Sequence, residues 1–115
     1  MFLREITEEK IIFDNGTEIS FVHDTECCEK VYADFKQLKD SPFGILNSDF
    51  EDDVKIEVVK NAGFRFGDDS NSWWFVPCYD VQNGYYSDDL TLIITFPDKT
   101  TKEIDLKEGL QHFLG

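Results

Sequence analysis

Apolar and polar positions alternate over short runs along most of this chain, and sustained helical periodicity is rare. Lys10-Ile11-Ile12-Phe13 reads as a strand. Asp14-Asn15-Gly16 follows as a tight turn, because Asn-Gly tolerates the positive φ that hairpin turns need. Residues 17–23 return as a second strand, with Ile19, Phe21 and His23 on one face and Glu18, Ser20 and Val22 on the other. Residues 24–39 carry both periods. Val31, Phe35 and Leu38 have helical spacing, while Val31, Ala33 and Phe35 alternate, so the expectation is a strand over 30–34 and a short helix or turn over 35–39.

After the break at Asp40-Ser41-Pro42-Phe43-Gly44, residues 54–60 alternate, with Val54, Ile56 and Val58 inward and Lys55 and Glu57 outward. Asn61-Ala62-Gly63 turns the chain into a strand at Phe64-Arg65-Phe66, and a polar loop covers 67–72. Residues 73–79 read as another strand, in which Pro77 argues for an edge or a bulge. Asn83-Gly84 is the second hairpin signal. Residues 90–96 form the clearest strand, and Pro97-Asp98-Lys99-Thr100 turns it into 101–106. The stretch 107–114 reads as a short helix with Leu110, Phe113 and Leu114 on its apolar side.

Closely spaced strands joined by turns predict an α+β fold that is mostly antiparallel β. It would be a single curved sheet or a small sandwich with one or two short helices. No pair of strands is separated by a crossover helix, which argues against a parallel βαβ arrangement. The chain has 115 residues and no visible linker or repeat, so one domain over 1–115 is expected. Eleven Phe, four Tyr and two Trp supply enough apolar area for a core without disulfide or metal, and they exclude intrinsic disorder.

Charge narrows the classes of partner. The formal net charge is -13. Direct nucleic acid binding and anionic membrane surfaces are opposed by it, and a basic protein surface is favoured. Residues 40–98 hold twelve acidic side chains against Lys55, Lys60 and Arg65, and residues 66–98 contain neither Lys nor Arg. Solubility alone does not require that asymmetry. No apolar run reaches the roughly 18 residues of a membrane span, and the N-terminal stretch has no signal-peptide core. Three Cys, two of them adjacent, do not form a secreted disulfide framework, which points to a reducing cytoplasm.

Candidate chemistry is sparse. His23, Cys27 and Cys28 lie within six residues, and Cys78 or His112 would complete a zinc set, but adjacent Cys do not chelate as a Cys-x-x-Cys turn does. A Cys–His nucleophile in the same cluster is opposed by Asp24, Glu26 and Glu29, because negative charge raises a thiol pKa. A buried Cys and a locally bonded His is the simpler account. Paired carboxylates occur at Glu51-Asp52-Asp53, Asp68-Asp69 and Asp88-Asp89 without the spacing of a calcium loop or a glycosidase pair. The adjacent aromatics Trp73-Trp74 and Tyr85-Tyr86 should each send one ring inward and one outward. With Asp68, Asp69, Asp80, Asp88 and Asp89, and with Glu51, Asp52 and Asp53, the outward rings would form an acidic, aromatic partner-binding surface. A core covering both faces of the sheet is the competing account of the aromatics.

Two segments carry a resemblance. His23-Asp24-Thr25-Glu26-Cys27-Cys28-Glu29-Lys30-Val31-Tyr32-Ala33-Asp34 and Asn83-Gly84-Tyr85-Tyr86-Ser87-Asp88-Asp89 resemble a family of short uncharacterised proteins of bacteria and their phages, over residues 10–96. The chain departs from that pattern in a shorter stretch after Tyr32 and a longer tail after Phe96. The resemblance implies no catalytic residue. It implies a mobile-element setting in a bacterial host cytoplasm, where small acidic proteins often act as inhibitors. The expected function is therefore non-enzymatic and cofactor-free. The protein would occlude a basic nucleic-acid-handling partner, such as a nuclease or CRISPR effector, by nucleic-acid mimicry in the manner of an anti-CRISPR or other anti-defence protein. A toxin-immunity protein, or a small metal- or Cys-dependent enzyme built on His23, Cys27 and Cys28, is the alternative.

Overall fold

The computed structural model describes residues 1–23, 30–39, 48–69, 73–82 and 89–113. The chain forms β1 (Leu3–Ile6), β2 (Lys10–Phe13), β3 (Glu18–Val22), β4 (Lys30–Ala33), a single helical turn α1 (Lys36–Lys39), β5 (Lys55–Val59), β6 (Gly63–Gly67), β7 (Trp74–Val81), β8 (Thr91–Thr95), β9 (Thr101–Asp105) and β10 (Leu110–Phe113). It is largely β, with minimal helix.

The described residues form two sheets. The first is wholly antiparallel, in the order β1-β2-β3-β8-β9. The second runs β10-β7-β6-β5, with β4 also paired to β7. Each sheet turns one face to a common core. Ile11, Phe13, Ile19, Leu92 and Ile94 come from the first sheet, and Val31, Phe64, Phe66, Val76 and Cys78 from the second. Phe35 and Phe50, which precede α1 and β5, join the layers: Phe35 packs on Phe21 and Phe64, and Phe50 on Phe13 and Phe66.

Local chemistry explains the turns. Gly16 takes φ +94° between β2 and β3, and the Asn15 side chain accepts the Thr17 N–H at 2.9 Å. Between β5 and β6, Asn61 sits at φ 58°, a left-handed position that Asn tolerates. Between β8 and β9, Lys99 takes φ 73° while the Asp98 carboxylate accepts both the N–H and the hydroxyl of Thr100. Those two bonds hold the Asp98 carboxyl below its ordinary pKa.

Three expectations are corrected. The stretch expected as a helix over 107–114 is, over its described residues 107–113, one 3-10 turn, Lys107–Gly109, leading into β10, which lies parallel to β7. That is the one parallel pairing among the described residues. Val58 does not enter the core; it is 38% exposed on β5, the edge strand of its sheet.

Pro77 marks neither an edge nor a bulge. It lies within β7, the strand with three partners. Gly63 stands opposite Pro77, next to the bond that the Cys78 N–H makes to the Ala62 carbonyl. Hydrogen-bonded pairs alternate along an antiparallel ladder, so Gly63–Pro77 is a pair without bonds, and the β6 side loses nothing to the missing N–H. The Pro77 carbonyl faces the other way and accepts the Asp34 N–H at 2.8 Å; the return bond that proline cannot donate falls just past the Ala33–Cys78 pair that ends the β4 ladder.

Among the described residues, no helix is long and apolar enough to cross a membrane.

Candidate interaction surface

The acidic and aromatic residues that the sequence groups as one surface fall at two ends of β7. At about 3.3 Å per residue, Trp74 and Asp80 lie roughly 20 Å apart along the strand.

The first end gathers Glu51, Asp52, Asp53 and Asp69, all exposed. The extended segment before β5 and the loop after β6 place them together, because Lys55 pairs with Gly67 in the ladder. Asp14 and Asp49 join them. The α-amino group of Met1 donates to Asp49 at 2.9 Å and feels Asp14 and Asp52, and Asn15 donates to Asp52. The Asp49 bond holds that ammonium above its ordinary pKa. Lys55 donates to Asp69 at 2.8 Å, which raises the Lys55 pKa, with Glu51 and Asp53 adding to the effect.

Asp68 is a correction. It is 1% exposed, and its carboxylate accepts the Glu51 N–H at 2.8 Å. A carboxylate that satisfies a backbone donor fixes the loop that displays its neighbours; it does not face a partner.

The tryptophans divide only in part as alternation predicts. Trp74 packs against the core, with its indole N–H buried and unpartnered. Trp73 is half-buried against Gly67, with the Arg65 guanidinium 4.8 Å over its ring. Arg65 is held in turn by Glu57 across β5 and β6.

At the far end, Asp80 is the second correction. It is 2% exposed, and accepts from Gln82 at 2.6 Å and from His112 Nδ1 at 2.9 Å. A carboxylate buried with donors on both oxygens serves as a clamp between β7 and β10, which is why it is absent from the surface. His112 itself is exposed.

His23 Nδ1 donates to the Asp89 carbonyl at 2.6 Å, with the exposed Asp89 carboxylate 3.5 Å away. A carbonyl oxygen only accepts, so this contact puts the His23 proton on Nδ1. Cys27, Cys28, Tyr85, Tyr86 and Asp88 lie outside the described residues. Residues 24–29 connect β3 to β4 and residues 83–88 connect β7 to β8, so each joins one sheet to the other. Their flanks are close at both sides: His23 meets Asp89, and Lys30 pairs with Val81. Among the described residues, no group of three His, Cys, Asp or Glu side chains has metal-binding geometry. Burial pushes the Cys78 thiol up to about 12, so it is no nucleophile.

One feature escaped the sequence reading. The row of β7 that points away from the core is Phe75, Pro77, Tyr79 and Val81, without a polar member. Register adds Tyr32 from β4 beside Tyr79 and Phe113 from β10 beside Val81. The rings touch: Tyr32–Tyr79 centroids are 5.5 Å apart and Tyr79–Phe113 5.9 Å. Lys30 Nζ sits 4.9 Å over the Tyr32 ring, and Gln37 donates to the Tyr79 hydroxyl. Burial, followed by the Asp34 charge, raises the Tyr32 pKa. The alternation inside β7 was the available signal.

A family model described as a domain of unknown function (DUF7448) matches residues 3–92. No curated protein and no solved structure matches the chain.

Proposed function

The chain belongs to the DUF7448 family, and from that premise we propose that it is a small acidic interaction protein that acts by occupying a basic surface on a nucleic-acid-handling partner. The observation that carries this reading is the gathering of Asp14, Asp49, Glu51, Asp52, Asp53 and Asp69 at one end of the molecule, on a chain of net charge -13. Clustered carboxylates on a rigid scaffold steer a cationic partner and stand where nucleic-acid phosphates would lie in its groove. The setting we propose is the cytoplasm of a bacterial host carrying a phage or other mobile element, and the partner a nuclease or CRISPR effector. A toxin-immunity protein would use the same physics.

The test is inhibition of purified guide-RNA effector and nuclease complexes at about 50 and 300 mM salt, where screening lengths differ by more than twofold. Inhibition should be stronger at low salt, be relieved by competing duplex DNA, and be lost when Glu51, Asp52, Asp53 and Asp69 become Gln or Asn. Undiminished cleavage by every complex at low salt refutes the proposal.

A second reading rests on the contact of His23 with Asp89 and the pairing of Lys30 with Val81. In that reading Cys27, Cys28 and His23 hold zinc or act in catalysis. Elemental analysis decides it: stoichiometric zinc that disappears in Cys27→Ser supports the metal centre, and its absence from zinc-supplemented protein removes it.

A further inference from the structure

We infer that the outward aromatic row of β7, with Tyr32 and Phe113, is the apolar half of a docking site whose occupant is a peptide segment of a partner that alternates cationic and aliphatic side chains. The inference rests on the electrostatic reading above and deepens it.

A sheet face left to water alternates apolar-in, polar-out. The first sheet keeps mostly polar residues outside: β3, β8 and β9 carry Glu18, Ser20, Thr91, Glu103 and Asp105 on their outer faces, with Val22 and Ile93 among them. β7 breaks the rule. Its polar residue Asp80 is inside, and its outward row is apolar throughout. Phe75 is 43% exposed and Phe113 50% exposed. Between these two exposed rings Tyr79, Val81 and Tyr32 are half-buried and Pro77 is buried, so the row has exposed ends and a recessed middle; exposed rings so placed mark an interaction surface.

Size and charge choose the occupant. Seven residues along β7 span about 20 Å, and three strands with their side chains about 15 Å, giving a face of roughly 300 Å². A stable dimer needs about 800 Å² from each partner, so a second copy of the chain is too large an occupant for this face, and two chains of charge -13 repel one another. An extended segment of six to eight residues fits the length.

Its charge follows from what the rings already do. Tyr32 holds the Lys30 ammonium at 4.9 Å, and Trp73 holds the Arg65 guanidinium at 4.8 Å. The cations on this face are engaged: Lys30 on Tyr32, Arg65 with Glu57, Lys55 with Asp69. They leave the rings of Tyr79 and Phe113 for a guest, and the Phe75 end of the row stands beside Arg65 and Glu57, on whose strand Lys55 pairs with Asp69 of the first site. A segment with alternating side chains puts aliphatic groups on the apolar row and cations on the rings and carboxylates.

The probes are synthetic (Arg-Leu)4, (Arg-Ser)4 and (Glu-Leu)4 peptides, titrated into isotope-labelled protein and followed by amide chemical shifts. Wild-type protein is compared with Tyr79→Ser, with Phe113→Ser and with the quadruple Glu51→Gln, Asp52→Asn, Asp53→Asn, Asp69→Asn variant, each first shown to be folded by circular dichroism. The (Arg-Leu)4 peptide should shift the amides of Tyr32, Tyr79 and Phe113. Its Kd should rise about tenfold in Tyr79→Ser or Phe113→Ser, the usual cost of removing a central aromatic anchor. Two variants are used so that one folding failure leaves the test intact. Shifts confined to residues 48–69, with affinity unchanged by either Ser substitution, overturn this inference and leave the electrostatic reading standing. Absence of shifts with both Arg peptides at low salt overturns both. Equal binding of (Glu-Leu)4 at the rings refutes the cationic occupant.

Discussion

Gly63 is the narrowest point in the second sheet, and Gly63→Ala is the sharpest test of its register. A Cβ at Gly63 would stand 2.1 Å from the Val76 carbonyl oxygen, 2.8 Å from Pro77 Cα and 3.0 Å from the Cys78 nitrogen. Carbon and carbonyl oxygen come no closer than about 3.3 Å even in the attractive contacts between strands. The start of β6 must therefore withdraw from β7 by about 1.2 Å, given that limit. The Cys78 N–H bond to the Ala62 carbonyl, 3.1 Å long, lies beside the contact and breaks. So does part of the Phe64–Val76 pairing. Retreat is blocked behind: the Gly63 carbonyl already lies where a Cβ on Gly109 would sit, at 2.5 Å. Two lost backbone bonds contribute about 1 kcal/mol each, and overpacking adds about 1–3 kcal/mol. The expected loss is about 3–5 kcal/mol, a large share of the roughly 5–15 kcal/mol that such a domain has. Urea titration followed by circular dichroism should show the midpoint falling with little change in m, and Tm should drop by about 10–20 °C. Gly16→Ala is the control: Gly16 has φ +94° but open space around it, so only the backbone term of about 1 kcal/mol applies. If Gly63→Ala is no more damaging than Gly16→Ala, the close approach of β6 to β7 is wrong, and the pairing of Gly63 with Pro77 falls with it.

His112→Ala should cost about 1–3 kcal/mol by leaving the buried Asp80 carboxylate short of a donor, and a double-mutant cycle with Asp80→Asn should return a coupling above about 0.5 kcal/mol. Additive losses would remove the clamp between β7 and β10. Cys78 should resist thiol reagents at pH 8 until urea is added, as peptide mapping of the labelled protein will show; its thiol is raised from 9.0 to about 12. Because the folded value is the higher one, the stability tied to the neutral thiol is complete below pH 9 and is lost as pH rises from about 9 towards 12. An alkaline melt series on wild type and Cys78→Ala separates that contribution from other groups. Asp98 has the opposite sign: its folded pKa is lowered, so its contribution is present above the ordinary carboxylate range and disappears as pH falls through the lower folded value. Acid melts of Asp98→Ala should lack that step. Lys99→Gly in the same turn should stabilise by about 1 kcal/mol, since φ 73° penalises a side chain and not Gly; a lower melting temperature would contradict the turn conformation.

The hairpins were legible because they depend on neighbours in the chain. Asn15-Gly16 demands a left-handed turn whatever surrounds it, and residues 90–96 alternate on their own account. The far pairings were not legible. β10 reads as a helix because Leu110 and Phe113 are three apart, which is a helical spacing; in the strand they fall on opposite faces. Only docking beside β7, with Leu110 against Cys78, selects the strand. Asp68 and Asp80 misled for a related reason. A carboxylate in a sequence is presumed solvated, and nothing within three residues announces that one will accept the Glu51 N–H and the other will lock His112. Adjacent rings such as Trp73-Trp74 draw the eye along the chain, but adjacency in a strand separates side chains to opposite faces. Tyr32, Tyr79 and Phe113 are far apart in sequence and become neighbours only through two ladders that meet on β7. A surface assembled this way leaves one trace in the sequence: a strand whose outward positions are as apolar as its inward ones. Phe75, Pro77, Tyr79 and Val81 carry that trace. The charge therefore locates one half of the surface, at Glu51–Asp53 and Asp69, and the broken alternation of β7 locates the other.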